Sequence, residues 1–88
     1  MKINVTQEHI ITGGYSCSNC PIALAIMDKI GKTTVSVLSV QILFQFNKKL
    51  HAYVPPKEVS DWIVNYDEGK MVKPFEFELT DGDKYDLR

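Results

Sequence analysis

Hydrophobic and polar residues follow several different patterns along the chain, and each pattern predicts one element of secondary structure. The alternation in Lys2–Val5, with β-branched side chains at every second position, predicts a short strand. Thr6 is a suitable N-cap for a short helix over Gln7–Thr12, which Gly13 and Gly14 would end as a left-handed C-cap. The beginning of the chain therefore predicts a strand followed by one or two helical turns.

A second helix is predicted over residues 20–30. Pro21 is tolerated in a first helical turn, a polar or thiol residue just before it can act as the cap, and Gly31 ends the pattern. Apolar side chains extend around most of this helix and leave only Asp28 and Lys29 clearly polar. Such a helix is expected at the buried centre of the fold.

The next segment, residues 33–46, alternates with a period of two, which is typical of strands. The phase of the alternation changes at Leu38 and Ser39, so a bulge or a tight turn is expected there. Residues 47–49 have the composition of a hairpin turn and lead into a further strand over residues 50–54. These strands should pair in an antiparallel sheet.

The last two predicted elements are a helix after two prolines and a strand with strict alternation. The helix covers residues 57–67, and Gly69 ends it. The strand covers residues 75–79 and directs acidic side chains outward. The apolar stripe of the helix follows the spacing i, i+3, i+4 and i+7 and consists of Val59, Trp62, Ile63 and Tyr66.

Together these elements predict an α+β fold. A small antiparallel sheet of four or five strands would pack against two main helices, with a short helix near the N-terminus. Residues 1–79 form one predicted globular domain, and residues 80–88 form a polar C-terminal tail with a turn-like sequence over residues 81–83. A chain of 88 residues has room for one hydrophobic core.

Composition narrows the possible functions. With 44% hydrophobic and 24% charged residues the chain has ordinary globular composition, so disorder is not expected. A net charge of −1 supplies no excess of cations for a nucleic-acid backbone, so binding to duplex nucleic acid is disfavoured. No apolar leader and no run of roughly 18 apolar residues is present, so we expect a cytoplasmic protein without a membrane partner.

The two cysteines allow three interpretations. Cys17 and Cys20 precede a helix, where the helix dipole can lower a thiol pKa, so they could form a redox pair. They could instead supply two zinc ligands, with His9 and His51 as the other two, although this spacing matches no standard zinc motif. A third interpretation makes both thiols packing residues around a tight loop. Cys17 or Cys20 as a nucleophile with His9 as its base is also conceivable.

The backbone of the same loop offers a different kind of site. Glycines followed by the start of a helix expose N–H groups that can hold a phosphate or a carboxylate, and an aromatic ring beside them can stack on a base. No hydrolase or nucleotide-hydrolase motif accompanies the loop, so no catalytic residue, metal ligand or cofactor is assigned. The predicted ligand-binding residues are Gly13, Gly14, Tyr15, Ser16, Cys17, Ser18, Asn19 and Cys20.

Four segments carry a resemblance to known proteins, and they are residues 3–10 (INVTQEHI), 17–25 (CSNCPIALA), 55–69 and 74–79 (PFEFEL). In these segments, to about residue 79, the chain resembles a group of small uncharacterised proteins of bacteriophages and their bacterial hosts. The resemblance names no activity. It implies a binding protein in the host cytoplasm, and one class of such proteins counters host defence by capturing nucleotide signals.

The sequence therefore predicts a non-enzymatic, homo-oligomeric protein that binds a small anionic or nucleotide-like ligand. The alternatives are a thiol-redox protein, a zinc-stabilised protein, and an inhibitor of a host protein.

Overall fold

Three helices and six strands occur in residues 1–80 and 82–86, which are the residues that the computed structural model describes. The predicted α+β class is confirmed. In chain order the elements are β1 (Lys2–Val5), α1 (Gln7–Thr12), α2 (Pro21–Ile30), β2 (Val35–Val37), β3 (Ile42–Phe46), β4 (Lys49–Tyr53), α3 (Lys57–Asp67), β5 (Phe75–Glu78) and β6 (Asp83–Asp86).

The strands form two antiparallel sheets. Four strands pair in the order β2-β3-β4-β6, so the larger sheet has the predicted number of strands, although β6 is not one of the predicted strands. The first and fifth strands form a separate two-stranded ribbon, in which Ile3 lies opposite Phe77. The helix α2 contacts α1, β1 and β2, so it connects the ribbon to the larger sheet.

Tight turns explain the change of phase in the predicted strand segment. Leu38 and Gln41 exchange both backbone hydrogen bonds, at 2.9 and 3.2 Å, and close a two-residue turn between β2 and β3. This turn keeps the apolar residues of both strands on the core side. Asn47 and Lys48, with φ of 53° and 62°, form the next hairpin turn, and their left-handed backbone fits the twist of the flanking strands. Both predicted turns are confirmed.

The predicted left-handed cap at the end of α1 is wrong. Gly13 has φ −71° and ψ 154°, an extended conformation, while its N–H still donates to the His9 carbonyl at 2.8 Å. Neither glycine has free space for a Cβ, and the contacts are less flexible at Gly13. A Cβ at Gly13 would lie 2.8 Å from the His9 carbonyl oxygen and from the Pro21 ring, and a Cβ at Gly14 would lie 2.8 Å from the Asn19 side chain.

Part of the predicted polar tail belongs to the larger sheet. Asp83–Asp86 forms β6 and pairs with the open edge of β4, where Leu50 lies opposite Tyr85. The sequence pattern predicts no strand there. Asp81 of the predicted turn and the last two residues lie outside the described part of the chain.

The core lies between α2, α3 and the inner faces of both sheets. Both predicted apolar faces are buried, with α2 contributing more residues than α3. Among the described residues, no helix combines the length and apolar composition needed to cross a bilayer. The largest side chains with under 2% of their surface exposed are Ile3, Val5, Pro21, Ile22, Ile26, Ile42, Phe44, Val59 and Leu79.

Candidate ligand-binding cavity

A cavity of about 330 Å³ opens where the loop between α1 and α2 meets α3 and the β2–β3 turn. Its volume is at the lower end of the range for small-molecule pockets. Four of the eight predicted ligand-binding residues line it. The described residues that line it are Tyr15, Ser16, Cys17, Cys20, Ile22, Val37, Leu38, Ser39, Val40, Trp62, Ile63, Tyr66 and Asp67.

The remaining predicted site residues lie beside this cavity. Gly13 lines a neighbouring hollow on the other side of the loop, together with Tyr15 and Tyr66. Gly14, Ser18 and Asn19 do not line the cavity. The structure therefore places half of the predicted site residues in the wall of one cavity, and the other half lie elsewhere in the same loop.

Hydrogen bonds within the loop occupy several of the backbone N–H groups that were predicted to bind an anion. The Gly14 N–H donates to the Asn19 carbonyl at 2.8 Å, and the Asn19 N–H donates to the Ser16 carbonyl at 3.3 Å. The Asn19 side-chain oxygen accepts from the N–H and the hydroxyl of Ser16, at 3.0 and 2.7 Å. Asn19 thus organises the loop, and these donors are not available to a ligand.

Two hydrogen bonds attach the loop to the elements on either side of the cavity. The Cys17 carbonyl accepts from the Val37 N–H at 2.8 Å, which holds the loop against β2. The Gly13 carbonyl accepts from the Tyr66 hydroxyl at 3.1 Å, which holds the loop against α3. The positions of the cavity walls therefore depend on this loop conformation.

Tyr15, Tyr66 and Trp62 line the cavity and begin a row of aromatic rings that continues away from it. The Tyr15 and Tyr66 ring centroids are 5.0 Å apart, and Tyr66 stacks on Trp62 at 5.7 Å with an interplanar angle of 5°. The row continues from Trp62 to Phe75 at 4.9 Å and from Phe75 to Phe77 at 5.6 Å. Tyr15 ends the row and is 70% exposed, so it retains surface on which another ring can stack.

Sequence reasoning assigned Trp62 and Tyr66 only to the apolar stripe of their helix. Both are confirmed as packed residues, yet both also face the cavity. The Trp62 indole N–H donates to the Lys73 carbonyl at 2.9 Å, which fixes the orientation of the ring. The i, i+4 spacing of two large aromatic residues is the sequence signal that could have indicated this part of the lining.

The charge of the cavity is negative. Among the described residues that line it, Asp67 is the only charged one, and it makes no hydrogen bond or ion pair with them or with other described residues. Asp67 lies in the last turn of α3, where no basic residue offsets the negative end of the helix dipole. The cavity therefore favours cations and hydrogen-bond donors over anions.

The two thiols occupy different environments within the lining. Cys17 is exposed, whereas Cys20 is 8% exposed, and both are free cysteines. Burial raises the pKa of the Cys20 thiol. The backbone N–H groups of Ala23 and Ile22 oppose that increase, and Asp67 adds to it.

The histidines of the suggested zinc and nucleophile sites are engaged elsewhere. The ring of His9 accepts from the Thr6 N–H at 3.0 Å and contacts the Asp28 carboxylate through Nε2. His51 is buried against Phe44. In residues 1–80 and 82–86 no three His, Cys, Asp or Glu side chains are grouped to hold a metal ion. The zinc set of Cys17, Cys20, His9 and His51 is therefore not assembled.

The cavity can bind a small molecule through stacking, apolar contact and a few hydrogen bonds. Its hydroxyls belong to Ser16, Ser39 and the two tyrosines, and no His or Lys lies among the lining residues to act as a base. Comparison with known proteins gives no match to this chain among protein-family models, curated sequences or solved structures.

Proposed function

We propose that this chain is a non-enzymatic binding protein whose cavity holds the ring of a small, nucleotide-like ligand. The observation that carries the proposal is the exposed end of the aromatic row at Tyr15, which lies in the same cavity as the Asp67 carboxylate, and this carboxylate has no partner among the described residues. A flat heterocycle with N–H groups has both features that this combination recognises. Stacking on an aromatic side chain contributes about 1–3 kcal/mol per base.

The polar groups define which part of the ligand enters. The Asp67 carboxylate accepts hydrogen bonds from ring or amino N–H groups, and the Ser39 hydroxyl adds a donor and an acceptor. The Ser16 hydroxyl already donates to Asn19 and so adds only an acceptor. The described part of the lining offers no cation to a phosphate, and the nearby N–H groups of Gly14 and Ser16 are already bonded. The base is therefore proposed to lie inside and any phosphate to remain at the solvent-exposed mouth, in contrast to the anion cradle expected from the sequence.

Calorimetric titration with nucleobases, nucleosides and nucleotides tests this proposal. At least one nucleoside should bind as tightly as its phosphorylated form, because the phosphate is expected to make no favourable contact with the cavity. Tyr15→Ala should weaken that binding by about 5- to 150-fold, which corresponds to one lost stacking contact. Tyr15→Phe should retain most of the affinity because it keeps the ring.

Tyr85→Ala provides the matched control, since Tyr85 is also an exposed tyrosine, at 53%, but lies outside the cavity on β6. It should leave binding unchanged. Binding that requires phosphate, or equal losses for the two alanine variants, would contradict the proposed binding mode. No heat with any member of the panel would contradict the proposed ligand class.

We also propose that binding serves sequestration in a bacterial host, with the chain acting as a homo-oligomer. The resemblance to phage proteins supports capture rather than turnover of a ligand. Ile11 and Met71, which are 73% and 101% exposed beside the neighbouring hollow, are apolar residues that an oligomer could cover. Light scattering on the purified protein measures the oligomeric state, and ligand recovered unchanged after denaturation distinguishes capture from catalysis.

A further inference from the structure

The two cysteines face one cavity from different depths, and the proposed ligand binding uses neither of them. Cys17 is exposed in the loop, and Cys20 is buried at the N-cap of α2. Both residues line the 330 Å³ cavity, which places them on the border of the same space. An exposed thiol followed three residues later by a buried one is an arrangement suited to stepwise disulfide chemistry.

We propose that Cys17 and Cys20 form a reversible dithiol–disulfide pair that is oxidised by low-molecular-weight disulfides, such as glutathione disulfide. This proposal does not depend on the nucleotide-like ligand. It assigns a reaction to the loop that the geometry of the cavity permits, with Cys17 reacting first and Cys20 second.

The first step is an exchange at the exposed thiol. The Cys17 thiol loses its proton to water, and its sulfur attacks one sulfur of glutathione disulfide. A mixed disulfide forms between Cys17 and glutathione, the original sulfur–sulfur bond breaks, and one glutathione leaves as a thiolate that takes up a proton. Cys20 does not react at this step because it is 8% exposed.

The second step occurs within the chain. Cys20 loses its proton, its sulfur attacks the Cys17 sulfur of the mixed disulfide, and the second glutathione leaves and is protonated. The dithiol has then lost two electrons and two protons, and glutathione disulfide has been reduced to two thiols. Excess reduced glutathione reverses both steps.

The loop supports the second step by holding the cysteines near each other. The Val37 N–H fixes the Cys17 carbonyl on β2, and the Asn19 bonds to Ser16 fix the turn that separates the two cysteines. The Cys17 thiol is near enough to Cys20 to contribute to its raised pKa. Burial and the raised pKa both disfavour reaction of Cys20 with a disulfide in solution, whereas its attack on the Cys17 sulfur takes place within the chain.

The test is to incubate the reduced protein with glutathione disulfide and to follow its intact mass. The wild-type chain should lose two hydrogen atoms without accumulating an adduct, and peptide mapping should place the disulfide between residues 17 and 20. Cys20→Ser should accumulate one glutathione on Cys17. Cys17→Ser should remain unmodified while it is folded.

Three results would overturn the proposal. They are a wild-type chain that stays reduced, a wild-type chain that keeps a stable glutathione adduct, and a Cys17→Ser variant that reacts as fast as the wild type. Circular dichroism verifies the fold of each variant, and Cys20→Ala replaces Cys20→Ser if the buried hydroxyl prevents folding. No ligand is present in the experiment, so its outcome is separate from that of the nucleoside titration.

Discussion

Replacing Phe44 with alanine is expected to lower the free energy of unfolding by about 3–5 kcal/mol, the usual cost of removing a buried aromatic ring. Phe44 is 1% exposed and lies on β3 between Val35 of β2 and His51 of β4. Its ring stacks on the His51 imidazole at 4.8 Å and 7°. The substitution removes these contacts and leaves a cavity against a buried histidine, so both the apolar and the stacking contributions are lost.

Urea unfolding followed by circular dichroism measures this loss, and Phe46→Ala is its matched control. Phe46 is the same residue type on the same strand, but it is only partly buried, and its ring lies farther from His51 at 6.2 Å. We expect a clearly smaller loss for Phe46→Ala. Equal losses for the two variants would show that the centre of the sheet is not packed as the structure describes.

Most of the fold could be predicted because its signals are local. The alternation around Phe44, the turn at Asn47 and Lys48, and the stripe of α3 each lie within one element, where neighbouring residues determine the pattern. The pairing of β1 with β5 joins Ile3 to Phe77, and no local pattern selects a partner at that distance. The last strand was missed because it adds to β4 through backbone bonds and carries polar residues on an exposed edge.

The site was predicted less completely, for the same physical reason. The loop of Tyr15 and Cys17 was recognised because its glycines, thiols and ring are contiguous in the sequence. Trp62 and Asp67 come from α3 and meet the loop only through tertiary packing. The sequence suggested more free N–H groups for an anion than the loop has. The hydrogen bonds of Asn19 with Gly14 and Ser16 occupy these groups, and no sequence pattern indicates those bonds. Because these N–H groups are occupied, the ring of the ligand, and not its phosphate, is now expected to lie in the cavity.

Replacing Gly13 with alanine is expected to destabilise the chain by about 1–3 kcal/mol, the usual cost of overpacking. The added Cβ would lie 2.8 Å from the His9 carbonyl oxygen and 2.8 Å from the nitrogen and Cδ of Pro21. Backbone and ring atoms cannot rotate away, so the loop must move. The Tyr66 hydroxyl then loses its bond to the Gly13 carbonyl, and Tyr15 moves with the loop. Thermal or urea unfolding measures the first effect, and nucleoside titration measures the second.

Gly14→Ala is the matched control at the neighbouring position. Its Cβ would meet only side-chain atoms of Asn19, which can rotate at the cost of their bonds to Ser16, so a smaller loss is expected than at Gly13. Whether Gly13→Ala raises or lowers the stability of the chain decides between two explanations of this glycine. Its φ of −71° and ψ of 154° are accessible to alanine, so without the close contacts the substitution would stabilise the chain by about 0.4–1 kcal/mol through the unfolded state. A stabilised Gly13→Ala variant would therefore contradict the close packing of the loop on Pro21. A destabilised variant would show that glycine is needed at this position because a Cβ does not fit, and not because of the backbone conformation.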